Sequence, residues 1–196
     1  AEDIAMAVTI LPLTPDLWPS FEYLFGKQGA CYGCWCTYFR MPPKMRQNHT
    51  GEEKKQFIKA RIEEGPPPGL LAFDQDRAVG WMQIGPRGDV PQWNNAARSS
   101  APLDRADATD PAVWSISCFF LRRNARGRGL THALVNAGVG FARDNGARRL
   151  EACPMVLSKD ASSLGLFVGS KRIFDRAGFA MVAQKTANRP LMRLEL

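Results

Sequence analysis

The chain has 196 residues, 45% of them hydrophobic, enough for a substantial core at the size of one domain. Its 26 lysines and arginines against 19 aspartates and glutamates leave a formal charge of +7, which favours polyanionic ligands, nucleic acid and phosphate-bearing cofactors alike. No apolar run approaches the roughly 20 residues of a membrane span, and no N-terminal stretch joins a basic segment to an apolar core and cleavage site, so a soluble cytoplasmic protein is expected.

Residues 1–7 are expected as a loose start, with a single domain over 8–196. Val8 to Leu13 alternates as a first strand, and Thr14-Pro15 then reads as an N-cap followed by proline at the first helical position. That helix carries Leu17, Phe21, Leu24 and Phe25 on one side and ends near Gly26 to Gly29. Next comes A-C-Y-G-C-W-C-T-Y-F-R, dense in cysteine and aromatics and without a clear period. Met41-Pro42-Pro43 breaks the chain, and a second, charge-rich helix is predicted over Glu52 to Glu64. After the stiff Gly65-Pro66-Pro67-Pro68-Gly69 connector, Leu70 to Phe73 and Ala78 to Ile84 form a hairpin. Pro86 to Pro111, polar and punctuated by proline, is expected as a surface loop with one helical turn.

Val113 to Leu121, in the central stretch, is an apolar run of strand length, continuous enough to be covered on both faces. It feeds R-R-N-A-R-G-R-G-L, which opens into a helical pattern with Leu130, Leu134, Ala137 and Phe141 on one side. Asn145-Gly146 stops that helix, and Ala147 to Cys153 is a further strand. Pro154 to Ser162 is a loop, Gly169 to Ala177 a short helix, and strands to about Gln184 and over Pro190 to Leu196 complete the chain. The fold class is thus α/β (α+β mixed), in the order β-α-α-β-β-β-α-β-α-β-β, a mixed sheet with helices on its faces.

A glycine-rich loop opening a helix presents unpaired N–H groups to an anion, most often a phosphate. A Walker-type loop needs G-x-x-x-x-G-K-[ST], and no such string occurs. A Rossmann fingerprint needs a third glycine, where position 132 is His. Arg126-Gly127-Arg128-Gly129-Leu130-Thr131 instead resembles the R/Q-x-x-G-x-G/A motif of the GNAT superfamily of acyl-CoA N-acyltransferases. The likeness extends to the strand ending F-F-L before the loop, the L-x-x-A-L-V helix after it, and F-D-R-A-G-F, Phe174 to Phe179, which looks like the family's second coenzyme A element. The C-W-C-T-Y-F-R and G-W-M-Q-I-G-P-R segments look like a poorly characterised subgroup of that family.

The resemblance implies a mostly antiparallel central sheet flanked by helices and an N-acetyltransferase using acetyl-CoA. It implies that backbone N–H groups of Arg126, Gly127, Arg128, Gly129, Leu130 and Thr131 wrap the pyrophosphate, and that the pantetheine arm runs beside Phe119, Phe120 and Leu121. Ser170 and Phe174 are expected beside the cofactor as well. The implied chemistry is direct transfer: a base deprotonates the amine, a backbone N–H holds the oxyanion, and an acid protonates the thiolate. Two positions depart from the pattern: Thr131 stands where Gly or Ala is usual, and Phe174 where many members carry a tyrosine acid. Phenylalanine cannot donate a proton, so another group does so, or the thiolate leaves unassisted, or the chain binds coenzyme A without turnover.

For catalysis the candidates are Glu151, an acid inside an apolar strand, and Ser117 and Cys118, beside the expected thioester; an end-of-strand surface charge and core packing are the plainer readings. His132 is expected on the helix surface and His49 in solvent. An apolar acceptor pocket is expected from Tyr32, Trp35, Cys36, Tyr38 and Trp81, some of which are ordinary core. Of the five cysteines, Cys118 and Cys153 lie in predicted strands. No disulfide framework is expected, and Cys31-x-x-Cys34-x-Cys36 lacks a close fourth ligand, so no metal site is expected either. The partner is then a small-molecule or peptide amine, with no membrane and with a homodimer open. A nucleic-acid module is the weaker alternative, because Arg122, Arg123, Arg143, Arg148, Arg172 and Arg193 scatter without a recognition motif.

Overall fold

The computed structural model describes residues 7–30, 33–157 and 166–196; residues 1–6, within the expected loose start, lie outside them. Strands β1 (Val8–Pro12), β2 (Gly69–Asp74), β3 (Arg77–Pro86), β4 (Val113–Leu121), β5 (Arg149–Ala152), β6 (Ala180–Ala183) and β7 (Leu191–Glu195) form one sheet in the order β1-β2-β3-β4-β5-β7-β6. Every neighbouring pair is antiparallel except β4–β5, which is parallel. The helices are α1 (Trp18–Phe25), α2 (Pro43–Asn48), α3 (Gly51–Glu64), α4 (Leu130–Asp144) and α5 (Lys171–Arg176). The short α2 adds to the expected order, because proline tolerates the first turn of a helix as readily as it breaks one. None of these helices is long and apolar enough to cross a membrane among the described residues.

Local chemistry explains the boundaries. Thr50 caps α3 by accepting from Glu53 N (3.2 Å), while Glu53 Oε2 accepts from Thr50 N (2.6 Å), a reciprocal capping box. Helix α4 lies on β3 so closely that a Cβ at Gly138 would stand 2.5 Å from Met82 Cε. Its buried face is therefore Leu130, Leu134, Val135, Gly138 and Ala142, rotated slightly from the stripe expected through Ala137 and Phe141.

Strand alternation sorts side chains into two cores. Leu70, Ala72, Met82 and Ile84 face α4 with Leu134 and Phe174. Leu71, Phe73 and Trp81 face α1 and α3, with Phe21, Phe25, Trp35, Ile58 and Ile62. The Phe21 and Trp81 rings meet edge-on at 5.1 Å between centroids, an arrangement contributing about 0.5–1.5 kcal/mol beyond its buried area.

Strand β4 is irregular in two ways. Gln83 pairs with Cys118 but Ile84 pairs with Ile116, so Ser117 is an extra residue bulged out of the ladder. The bulge reverses the facing: Trp114 and Ile116 lie on the α4 side before it, Phe119 after it. In addition, β4 pairs with β5 only from Val113 to Ile116. Beyond that, Cys118 to Leu121 keep β3 on one edge while β5 has ended on the other.

The 86–111 segment is not the surface loop expected from its composition. It holds three 3₁₀ turns, Arg87–Asp89, Pro91–Asn94 and Arg105–Ala108, and buries Arg87, Val90, Trp93, Ser100 and Asp107. A buried charge anchors it: Arg87 Nε donates to Glu151 Oε1 (3.0 Å) and its guanidinium lies 4.4 Å from the Trp93 ring centroid. Arg87 also donates to Asn94 Oδ1 and the Ser100 carbonyl, both at 2.9 Å. Glu151, fully buried, takes Arg193 on its other oxygen at 3.1 Å. Removing one member of such a set leaves uncompensated buried charge. Glu151→Ala is therefore expected to lower stability by about 3–5 kcal/mol in denaturant unfolding; an unchanged midpoint would show that the pairs carry no weight.

Candidate functional site

At the end of β4 the chain makes a 3₁₀ turn, Arg123–Ala125, and reaches Gly127 and Gly129, both at φ 75°. Gly129 is the N-cap of α4 in the left-handed region and has no side chain to satisfy the first N–H groups of the helix. The first intrahelical bond runs from Ala133 N to Gly129 O, at 3.1 Å. The N–H groups of Leu130, Thr131 and His132 thus face outward with the positive end of the helix dipole behind them. A Cβ at Gly127 or Gly129 would meet nothing within 4 Å, so the space in front of the loop is open. Arg126 and Arg128 are exposed beside it, and Thr131 is half-buried. This cradle fits a pyrophosphate. His132 pairs with Asn136 on the helix surface (3.1 Å), as expected.

From the loop, the β4 edge leads to a cavity of about 870 Å³. Its wall includes Ser117, Cys118, Phe119 and Phe120 of β4, and Phe167 and Val168 from the segment that crosses β4. The wall also includes Cys36, Thr37, Tyr38 and Phe39, with Arg46 and His49 from the α2 region, and Arg98 and Arg189. Phe119 belongs to the α4 side of the sheet and Cys118 to the α1–α3 side, so the cavity passes from one face to the other where β4 and β5 part.

A buried polar chain fixes the bulge. Gln83 Nε2 donates to Ser117 Oγ (2.9 Å), and Gln83 Oε1 accepts from Arg40 Nε (3.1 Å). Arg40 is paired with Asp89 at 3.0 Å, and Asp89 with Arg61 at 2.9 Å. Burial pushes the Asp89 carboxyl up, but the charges of Arg40 and Arg61 outweigh it and hold the group below the usual carboxylate range.

The structure gathers part of the expected site. Ser117, Cys118, Phe119 and Phe120 line the cavity, as do Cys36 and Tyr38. Leu121 packs against the α4-side core, and Ser170 caps α5 half-buried. Trp35 and Trp81 are corrected to core: they are 4% and 0% exposed, Trp35 stacked on Phe25 at 5.5 Å. Trp81 nonetheless reaches the wall indirectly, its Nε1 donating to Cys36 Sγ at 3.1 Å. Phe174 is also core, fully buried between Phe119 and Phe179 with centroids 6.3 and 5.1 Å away. Glu151 points away from the cavity into its two arginines. Tyr32 lies outside the described residues, as does Cys31. Among the described residues no group of three His, Cys, Asp or Glu is placed to hold a metal ion.

Other cavity residues carry no sequence signal. His49, expected in solvent, has its Nδ1 2.7 Å from the Met45 carbonyl oxygen, and its ring lines the cavity. A carbonyl only accepts, so in the neutral ring Nδ1 carries the hydrogen and Nε2 keeps its lone pair. Arg46 and Arg98 flank Tyr38, with guanidinium carbons 3.9 and 5.2 Å from its ring centroid. The Arg98 guanidinium on the phenol oxygen, helped by Arg46 and against some burial, draws the Tyr38 hydroxyl below its ordinary value of 10.0. The Cys118 thiol, aided by the Trp81 N–H and the charge of Arg40, likewise holds the Cys36 thiol low despite burial. Trp35 and Cys36 sit at φ 46° and 57°, so this part of the wall is held in strained backbone.

Placing a carboxylate in the phosphate cradle tests the assignment of the loop. Gly129→Glu meets open space, at a backbone cost of about 1–2 kcal/mol for its positive φ. It is expected to abolish coenzyme A binding in calorimetry while circular dichroism keeps the folded signal; retained affinity would rule out this cradle.

The model of the acetyltransferase (GNAT) family matches residues 31–167. Among solved structures, yncA from Salmonella typhimurium, with its cofactor acetyl-CoA, superposes with a TM-score of 0.55 at 15% identity, over 97% of this chain and 94% of that one. A ribosomal-protein-alanine N-acetyltransferase from Brucella melitensis gives 0.54 at 17% identity, over 96% and 99%. An N-acetyltransferase from Staphylococcus aureus Mu50 gives 0.55 at 11%, over 96% and 98%. A search of curated proteins finds no match. With an uncapped glycine loop opening α4, a β4 edge free of β5 and a family match across most of its length, the chain belongs to the GNAT acetyltransferase family, whose cofactor is acetyl-CoA.

Proposed function

We propose that the protein transfers an acetyl group from acetyl-CoA to a primary amine by direct attack. The observation that carries this reading is that β4, whose end leads into the open glycine loop, lines the 870 Å³ cavity with Ser117 to Phe120 where β5 has ended. Bound acetyl-CoA supplies the activated acyl group as a thioester. The loop residues 126–131 hold the phosphates, and the backbone of Ser117 to Leu121 orients the arm as an added strand would. The bulge at Ser117 turns backbone toward the cavity, where an N–H can hold the developing oxyanion.

Two cavity residues complete the proton inventory. His49 Nε2, left as an acceptor by the Nδ1 contact with Met45, takes the proton of the attacking amine. Tyr38, also on the cavity wall, donates to the departing thiolate in place of the hydroxyl that Phe174 lacks. Ser117 and Cys118 shape the wall at the thioester, and Glu151 supports the fold. This supply of acid and base favours turnover over cofactor binding alone.

Mixing protein, acetyl-CoA and an amine panel while following free thiol tests the reaction. Thiol release matched by N-acetyl product is expected, whereas tight acetyl-CoA binding with no release from any amine would overturn it. Tyr38→Phe is expected to lower kcat by about 100-fold. The acid works only when protonated, and its pKa lies below 10.0, so the rate is expected to fall as pH rises through that lowered value. Arg98→Gln, which removes the largest cause, should move that alkaline limb upward; a limb unmoved in both variants would sink the assignment.

A further inference from the structure

Beyond β4, the cavity wall is cationic. Arg46, Lys54, Arg98 and Arg189 line it, and no Asp or Glu does so among the described residues. These four groups differ from the arginines that hold the fold together. Arg40, Arg87, Arg149 and Arg193 each have a carboxylate within 3.1 Å, whereas Arg46, Lys54, Arg98 and Arg189 enter no ion pair among the described residues. Moreover, Nε of Arg46 and Nε of Arg189 are buried without a hydrogen-bond partner. Such nitrogens also occur on Arg40 and Arg87, so it is the four unpaired cations along one wall, with no carboxylate beside them, that call for an anionic ligand.

The cofactor's pyrophosphate does not meet this demand, because loop residues 126–131 form a separate cradle outside the cavity wall. The guanidiniums are also pre-positioned. Arg46 and Arg98 both lie over the Tyr38 ring, and Arg189 Nη2 donates to the Cys153 carbonyl at 2.9 Å. Planar guanidiniums held this way bind the paired oxygens of a carboxylate or phosphate, while a bare cation would meet uncompensated like charge.

Building on acetyl transfer to an amine, we infer that the acceptor is an anionic amine, whose carboxylate or phosphate binds Arg46, Arg98 and Arg189 while its amino group faces Ser117 and Cys118. The acceptor class is thus amino acids, acidic peptides or amine phosphates, and polyamines are excluded.

The test uses the whole chain, with and without saturating coenzyme A, titrated calorimetrically with citrate, inorganic phosphate and spermidine. Binding of at least one oxyanion is expected, weakened tenfold or more by Arg46→Gln, by Arg98→Gln and by Arg189→Gln, with none for spermidine. The stronger oxyanion identifies the recognised group. Circular dichroism checks that the variants fold, and three separate positions guard against one misfolding. In parallel, thiol release is compared for glycine against glycinamide and for phosphoethanolamine against ethanolamine, with at least tenfold higher kcat/KM expected for an anionic member. No oxyanion binding, binding unchanged in all folded variants, or preference for spermidine overturns the inference. Oxyanion binding as expected with no thiol release would instead overturn acetyl transfer and leave the anion site standing.

Discussion

Everything functional in this protein depends on where β4 stops pairing with β5. Four residue pairs, Val113 to Ile116 with Arg149 to Ala152, hold the two strands together. Immediately afterwards Ser117 bulges out of the β3 ladder and reverses which face the later residues address. Backbone N–H and C=O groups on a freed edge must find partners, and an extended ligand arm could supply them in the way an added strand would. The polar chain from Arg61 through Asp89, Arg40 and Gln83 to the Ser117 hydroxyl keeps that bulge in place. The gap between the strands is thus a fixed part of the fold.

Charge is handled by two different rules. Where arginine is structural it is matched: Arg87 and Arg193 share Glu151, and Arg40 and Arg61 share Asp89. These sets cost desolvation and return specificity of docking, pinning the 86–111 segment and the Cys36 to Met41 strip to the sheet. Where arginine faces the cavity it is left unmatched. The net charge of +7, in sequence terms a general affinity for polyanions, thus includes matched structural arginines, unmatched cavity arginines and an exposed pair at the phosphate loop.

The periodic features are legible in the sequence. Strand order, the α4 helix and the glycine loop follow from local spacing, because a 2.0 or 3.6 period and a positive-φ glycine are written in consecutive residues. Long-range context is what local spacing misses. Glu151 inside an apolar strand reads equally as a catalytic base and as half of an ion pair, and only Arg87, 64 residues away, decides. Trp35 and Trp81 read as pocket aromatics, yet Phe21 and Phe25 enclose them. Arg46 and His49 at α2, Arg98 and Arg189 come from three separate segments and carry no motif, so their convergence exists only in three dimensions. Tyr38 reads from sequence as one aromatic among several, and the two arginines that lower its hydroxyl meet it only in the folded chain.

The sheet's two faces bear on how such a protein changes over generations. The hydrophobic clusters on its two sides have no residue in common, and energetic effects at sites without shared partners combine additively. One side carries α4 and the cofactor's cradle, the other the strip around Cys36 and Tyr38. Substitutions in the strip around Cys36 and Tyr38 and in the α4 cradle are therefore expected to combine additively, except along Ser117 to Phe120 of β4, where the cavity wall draws on both faces. Either side can change without the other everywhere but at that strand.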